Sequence, residues 1–151
     1  MAGIIEIRDK TAQGVLTLTL RDLLAFFEDR GPHLVWSILD LEAVGDPDKL
    51  KIELLELERK ARESPHGFIL KWEDLVALAE SLDDVWGTLI AASDTADSIP
   101  RLTHGTEQFE PCEVALEAFD SSFWRVYARD DAIIRKLESS FHDVDVNFIA
   151  G

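Results

Sequence analysis

The segment Glu113–Phe148, EVALEAFDSSFWRVYARDDAIIRKLESSFHDVDVNF, decides the fold class. Glu113–Asp120 and Phe123–Ala128 read as two strands around an Asp-Ser-Ser turn. Asp130-Asp131 then opens a helix that runs to about Ser140, because one aspartate can cap it and both gain from the positive end of its dipole. In Val144–Phe148, Val144, Val146 and Phe148 take one face while Asp145 and Asn147 take the other, the period of a half-buried strand. Strand, helix, strand in that order predicts a right-handed crossover and a partly parallel sheet.

Working back towards the N-terminus, the same alternation continues. Gly3–Arg8 and Val15–Thr19 are short, apolar and β-branched, with Gly14 between them as a turn signal, and suggest a hairpin. Thr19 is placed as an N-cap with Asp22 three residues on, followed by a helix over Leu20–Arg30 that buries Leu23, Leu24, Phe26 and Phe27 and stops at Gly31-Pro32. His33–Val44 reads as a strand. Asp46-Pro47 opens a helix in which Leu50, Leu54, Leu57 and Ala61 recur at helical spacing, with Glu56–Lys60 and Glu58–Arg62 as i,i+4 pairs, until the breaker cluster Ser64–Gly67. Trp72, Leu75, Val76, Ala79 and Leu82 mark a further amphipathic helix. Trp86–Ser93 is small and apolar enough for a central strand, and Asp94–Glu113 reads as a long irregular segment. The expectation is one globular domain over residues 1–151, α+β or α/β. It has a mixed β-sheet of about five to seven strands with packed helices and a C-terminal β-α-β unit.

Thirty acids against fifteen bases give a net charge of -15, which disfavours nucleic acid and anionic membrane surfaces as partners. The excess is concentrated: Trp72–Trp124 contains twelve acids and a single base, Arg101, and so carries -11. No basic leader and no long apolar run stands in the chain, and its one cysteine cannot form an internal disulfide, so the expected compartment is the cytoplasm.

Two aspartate pairs differ in what local structure explains. Asp130-Asp131 opens a helix and is accounted for. Asp83-Asp84, in SLDDVWG, is read as closing one, where the dipole resists negative charge, and no Lys or Arg lies between Lys71 and Arg101. A place where a local rule is broken is a candidate functional site.

Signatures with a strong chemical mechanism are absent: there is no GxGxxG, GxxxxGK[ST], GxSxG, HExxH or CxxC. Cys112 with His104 and Glu107 or Glu110 is the best nucleophile set, but acidic neighbours raise a thiol pKa when activation needs the opposite. His104, Glu107 and Glu110 could offer hard-cation ligands, on irregular spacing. His33, His66 and His142 stand at element edges as surface or capping residues. The four tryptophans lie in apolar runs and read as core, with Trp86 the one to show an edge.

The block GFILKWEDLVALAESLDDVWGTLIAAS, followed by FWRVYARDDAIIRKLESSFHDVDV, resembles the small acidic bacterial immunity proteins that neutralise toxins of interbacterial competition systems. The resemblance covers about half of the chain. It implies a cytosolic protein that binds a cognate toxin, often a basic nuclease, by electrostatic complementarity and performs no chemistry.

The functional expectation is therefore a non-enzymatic protein that binds a basic protein partner, with no cofactor and no metal. Asp83, Asp84, Asp94, Asp97, Glu107, Glu110 and Glu113 are the expected charged contacts and Trp86 the aromatic anchor. The rival readings are a small hydrolase or metal-dependent enzyme using the His104–Cys112 loop, and a subunit of a larger cytosolic assembly.

Overall fold

The computed structural model of the chain describes residues 2–10, 18–46, 48–50, 53–106, 108–119 and 123–149. The C-terminal unit read from the sequence is there. Strand β5 (Val114–Phe119) pairs antiparallel with β6 (Phe123–Ala128), and helix α4 (Asp131–Ser140) leads to β7 (Val144–Ile149). Asp130 caps α4, its Oδ1 accepting the Ala132 N–H at 3.0 Å, and Ile134 and Leu137 are buried beneath the helix.

The parallel pairing expected from this unit is absent. Strand β1 (Ala2–Ile7) lies between β6 and β7 and pairs antiparallel with both. Those two strands run in one direction, yet each meets a backbone of the opposite sense. Both edges of β1 are thereby occupied. The Val15–Thr19 half of the expected hairpin falls mostly outside the described residues.

Helix α1 (Leu20–Leu24) starts as the sequence indicates. The Asp22 N–H donates to Thr19 Oγ1 at 3.2 Å, and the Thr19 N–H donates to Asp22 Oδ2 at 2.9 Å, closing a reciprocal capping box. Strand β2 (Val35–Gly45) follows, then helix α2 (Leu54–Glu63). Helix α2 begins later than Asp46-Pro47 suggested. Asp46 Oδ1 instead accepts the Asp48 N–H at 3.0 Å in a turn, and Pro47 lies outside the described residues. Of the two expected pairs, Glu56–Lys60 stands at 3.9 Å, while Arg62 turns away to Asp40 at 3.3 Å and Glu42 at 3.9 Å.

Strand β3 (Phe68–Leu70) and helix α3 (Trp72–Ser81) precede β4 (Leu82–Ser93). Helix α3 passes into β4 with no loop, Leu82 being already extended at φ -88°, ψ 132°. Leu82 fits the helical stripe of the sequence and also begins the strand, and Val85 beside it packs on the same core. The strand expected from Trp86 therefore starts at Leu82, and Asp83 and Asp84 stand in a strand rather than at a helix end.

Among the described residues seven strands form one sheet in the order β3-β2-β4-β5-β6-β1-β7, every ladder antiparallel, so the fold is α+β. Helices α1 to α4 all contribute to one core, where Leu23, Leu57, Leu75 and Leu137 meet Ile5, Trp36, Ile90 and Val126. The other face carries Leu39, Leu89, Ala91, Ala115 and Tyr127, covered by Ile99, Leu102, Phe109 and Cys112 of the 94–113 segment. That segment, apart from one 3-10 turn at Ala96–Ser98, is irregular as expected, yet it forms part of the core. Arg101 fastens it, donating to the carbonyls of Leu39 (2.9 Å), Ala61 (2.6 Å) and Ser64 around the C-terminus of α2. Trp36 and Trp124 are buried, with indole N–H groups donating to Gly31 O and Leu18 O at 2.9 Å each. Trp72 packs on Trp36 at 5.5 Å, and Trp86 is 38% exposed. No helix among the described residues is long and apolar enough to cross a membrane.

Candidate functional site

Strand lengths build the acidic site. The β4–β5 ladder starts at Thr88, and the β2–β3 ladder ends at Ile38. Beyond them, residues 42–45 of β2 and 82–87 of β4 continue as a two-stranded ribbon. Leu41, Ala43, Leu82 and Val85 anchor it to the helical core. Glu42, Val44, Asp83, Asp84 and Trp86 are exposed, Val44 at 47%.

The register shows why so many exposed side chains gather on so short a stretch. Between Glu42/Ala43 the β4 partners step from Gly87 to Val85, and between Val44/Gly45 they step from Asp84 to Leu82. Trp86 and Asp83 are thus the extra residues of two β-bulges, a device that re-aims side chains and twists a strand edge. Among the described residues no cation pairs with Asp83 or Asp84, and no strand pairs with the outer edge of 82–87.

The remaining expected contacts lie elsewhere. Asp94 follows the far end of β4, at most roughly 36 Å from Asp83 at about 3.3 Å per residue. Arg30 binds Asp94 at 3.3 Å and Glu113 at 2.6 Å, and the Arg30 hydrogen bond holds the Glu113 carboxyl below its ordinary value against the opposing effect of burial. Asp97 sits in the 3-10 turn and Glu110 in the segment beyond it, whereas Glu107 lies outside the described residues. The sequence-derived set therefore divides. Asp83, Asp84 and Trp86 share the ribbon, and Asp94 and Glu113 share a cation at the other end of the sheet.

The His104 loop has a geometry unlike the nucleophile reading, while the metal reading includes Glu107, which lies outside the described residues. His104 Nδ1 lies 2.8 Å from Glu117 Oε2, and Nε2 lies 2.9 Å from Asp40 Oδ2. Both ring nitrogens thus face carboxylates, and neither is left over as a base for Cys112. Cys112 is fully buried, and burial pushes its thiol up to about 11, opposite to an activated nucleophile. Among the described residues, no group of three or more His, Cys, Asp or Glu side chains is arranged to hold a metal ion.

Those contacts belong to a longer row. Asp40, Leu89, Glu117, Arg125, Glu6 and Asp145 are successive cross-strand neighbours over six strands. His104 bridges Asp40 and Glu117, Arg125 reaches Glu117 at 3.3 Å, and Arg8 joins Glu6 (2.6 Å) to Asp145 (2.7 Å). With His104 and Arg8 inserted between their partners, acidic and basic side chains alternate along the row. Sequence reasoning missed it because the register brings the residues together, although Glu117 and Arg125, lone charges in apolar strands on either side of one turn, were a usable signal.

A cavity of about 730 Å3 opens between α2, β3 and α3, lined by apolar side chains including Leu57, Phe68, Leu70 and Leu78, and it contains none of the expected contacts.

Comparison with known proteins finds no matching family model, no matching curated protein and no matching solved structure.

Proposed function

We propose that the protein is a non-enzymatic binding protein whose β2–β4 ribbon docks a basic protein partner, as an immunity protein docks its toxin. The observation that carries this reading is the grouping of Asp83, Asp84 and Glu42 with the exposed side chains of Trp86 and Val44 on one projecting element. Asp83 and Asp84, with which no cation among the described residues pairs, speed encounter with a positive surface, and an exposed aromatic beside them supplies a central anchor. Arg101, the one base of the acidic segment, is held by backbone carbonyls and does not offset the ribbon.

The test is affinity capture from cells of the source, with wild-type protein and the Asp83→Lys/Asp84→Lys variant immobilised side by side. The expected result is a basic protein retained by the wild type at low salt, released as salt rises, and absent from the variant. In the immunity case, co-expression suppresses the toxicity of that protein. Identical capture by both proteins, or retention indifferent to salt, refutes the reading.

A further inference from the structure

We propose that His104 is a proton-operated clasp that holds the 94–113 segment closed over the second face of the sheet. With both facing carboxyl groups ionised, the geometry calls for a doubly protonated ring. A neutral imidazole carries one N–H, whereas His104 faces a carboxylate oxygen from each nitrogen, at 2.8 and 2.9 Å. Glu117 is only 3% exposed and also accepts the Gly105 N–H at 2.9 Å, so the backbone next to His104 is tied to the same carboxylate.

The groups facing the ring come from several elements. Asp40 comes from β2 and is reached by Arg62 of α2; Glu117 comes from β5 and is reached by Arg125 of β6. The β4 residue between Asp40 and Glu117 is the uncharged Leu89, and the segment's own Arg101 is committed to backbone carbonyls. The charged ring thus joins the segment to the strands on both sides of β4. Without its proton it can donate to only one of the two carboxylates, leaving the other oxygen opposed to a lone pair. Relief requires the segment to move away, uncovering Leu39, Leu89, Ala91, Tyr127 and the buried Cys112. Burial lowers the His104 pKa, but hydrogen bonds and charge from Asp40 and Glu117 outweigh it and raise the pKa above the ordinary 6.5.

Cys112 reports on the cover, since it is the only thiol in the chain. The experiment measures its alkylation by iodoacetamide from pH 6 to pH 9 in the wild type and in His104→Gln, each rate divided by that of the urea-unfolded chain at the same pH. The expected ratio rises at least tenfold with pH in the wild type and is already high and flat in the variant. A flat ratio in the wild type, or an equal rise in both proteins, overturns the proposal. If His104→Gln does not fold, 15N ring shifts of the wild type decide together with its labelling ratio. An imidazolium at His104 at pH 7 supports the clasp, and a neutral ring at pH 7 overturns it.

Discussion

Glu117 on β5 and Arg125 on β6 occupy one rung of the sheet, and their ion pair at 3.3 Å lies in a buried environment with the Arg125 guanidinium 5.5 Å from the Phe109 ring centre. Removing Arg125 takes one charged partner from the buried Glu117 carboxylate while His104 and the Gly105 N–H still face it, at a cost of about 1–3 kcal/mol. Arg125→Met is expected to lower stability on that scale. The double variant Glu117→Gln/Arg125→Met should lose less than the sum of the two single losses, because neither charge is then stranded. Urea denaturation of the four proteins measures the difference.

Stability should fall on both sides of neutral pH for separate reasons. His104 has a raised folded-state pKa, so its contribution is complete below the unfolded value near 6.5 and disappears as pH climbs through the folded one. Glu113 is lowered by Arg30, so its contribution is present above the unfolded value near 4.5 and disappears as pH drops through the folded one. Melting temperatures should show the alkaline decline flattened by His104→Gln and the acid decline weakened by Arg30→Gln. A His104→Gln profile parallel to the wild type above pH 6.5 would count against the first assignment.

Gly67 and Gly105 both adopt positive φ, +74° and +84°, in different surroundings. A Cβ at Gly67 would meet Ser37 Oγ and, at 2.6 Å, Ile38 O, whereas one at Gly105 meets nothing within 4 Å. Gly105→Ala should cost about 1 kcal/mol, the backbone preference alone. Gly67→Ala should cost distinctly more, since rigid β2 backbone must also shift. Chemical denaturation ranks the two.

Two tryptophans separate folding from recognition. Trp36→Ala empties a fully buried site and should cost about 3–5 kcal/mol of stability. Trp86→Ala, on the exposed ribbon, should change stability by no more than about 0.5 kcal/mol while weakening partner binding by about 2 kcal/mol or more. Calorimetry of folding and of binding distinguishes the effects, and a Trp86 variant that binds unchanged removes the anchor role.

Elements defined by short-range chemistry were readable from the sequence. The Thr19–Asp22 box, the Asp130 cap and the alternation of Val144, Val146 and Phe148 each depend on residues within a few positions. The α3–β4 junction was not, because Leu82 satisfies a helical stripe and a strand start equally well and only pairing with Gly45 selects the strand. In the sequence alone, a helix reaching Leu82 places Asp83 and Asp84 against the negative end of its dipole. The helix ends at Ser81, both aspartates lie in β4 beyond its C-cap, and Asp83 is turned out by a bulge that requires a partner strand to exist. The charged row was hidden for a related reason: Asp40, His104 and Glu117 become neighbours only when β2, β4 and β5 are in register.

The overhang of β4 past β5 leaves a stretch of backbone able to template another strand, the usual route to edge-to-edge aggregation. Its bulges and carboxylates make it a poor template for a second copy of this chain, since two such edges would bring four aspartates together. The features that would attract a cationic partner therefore also protect the solution from the protein itself. Light scattering should find the chain dispersed at low salt, with self-association emerging first in Asp83→Asn/Asp84→Asn.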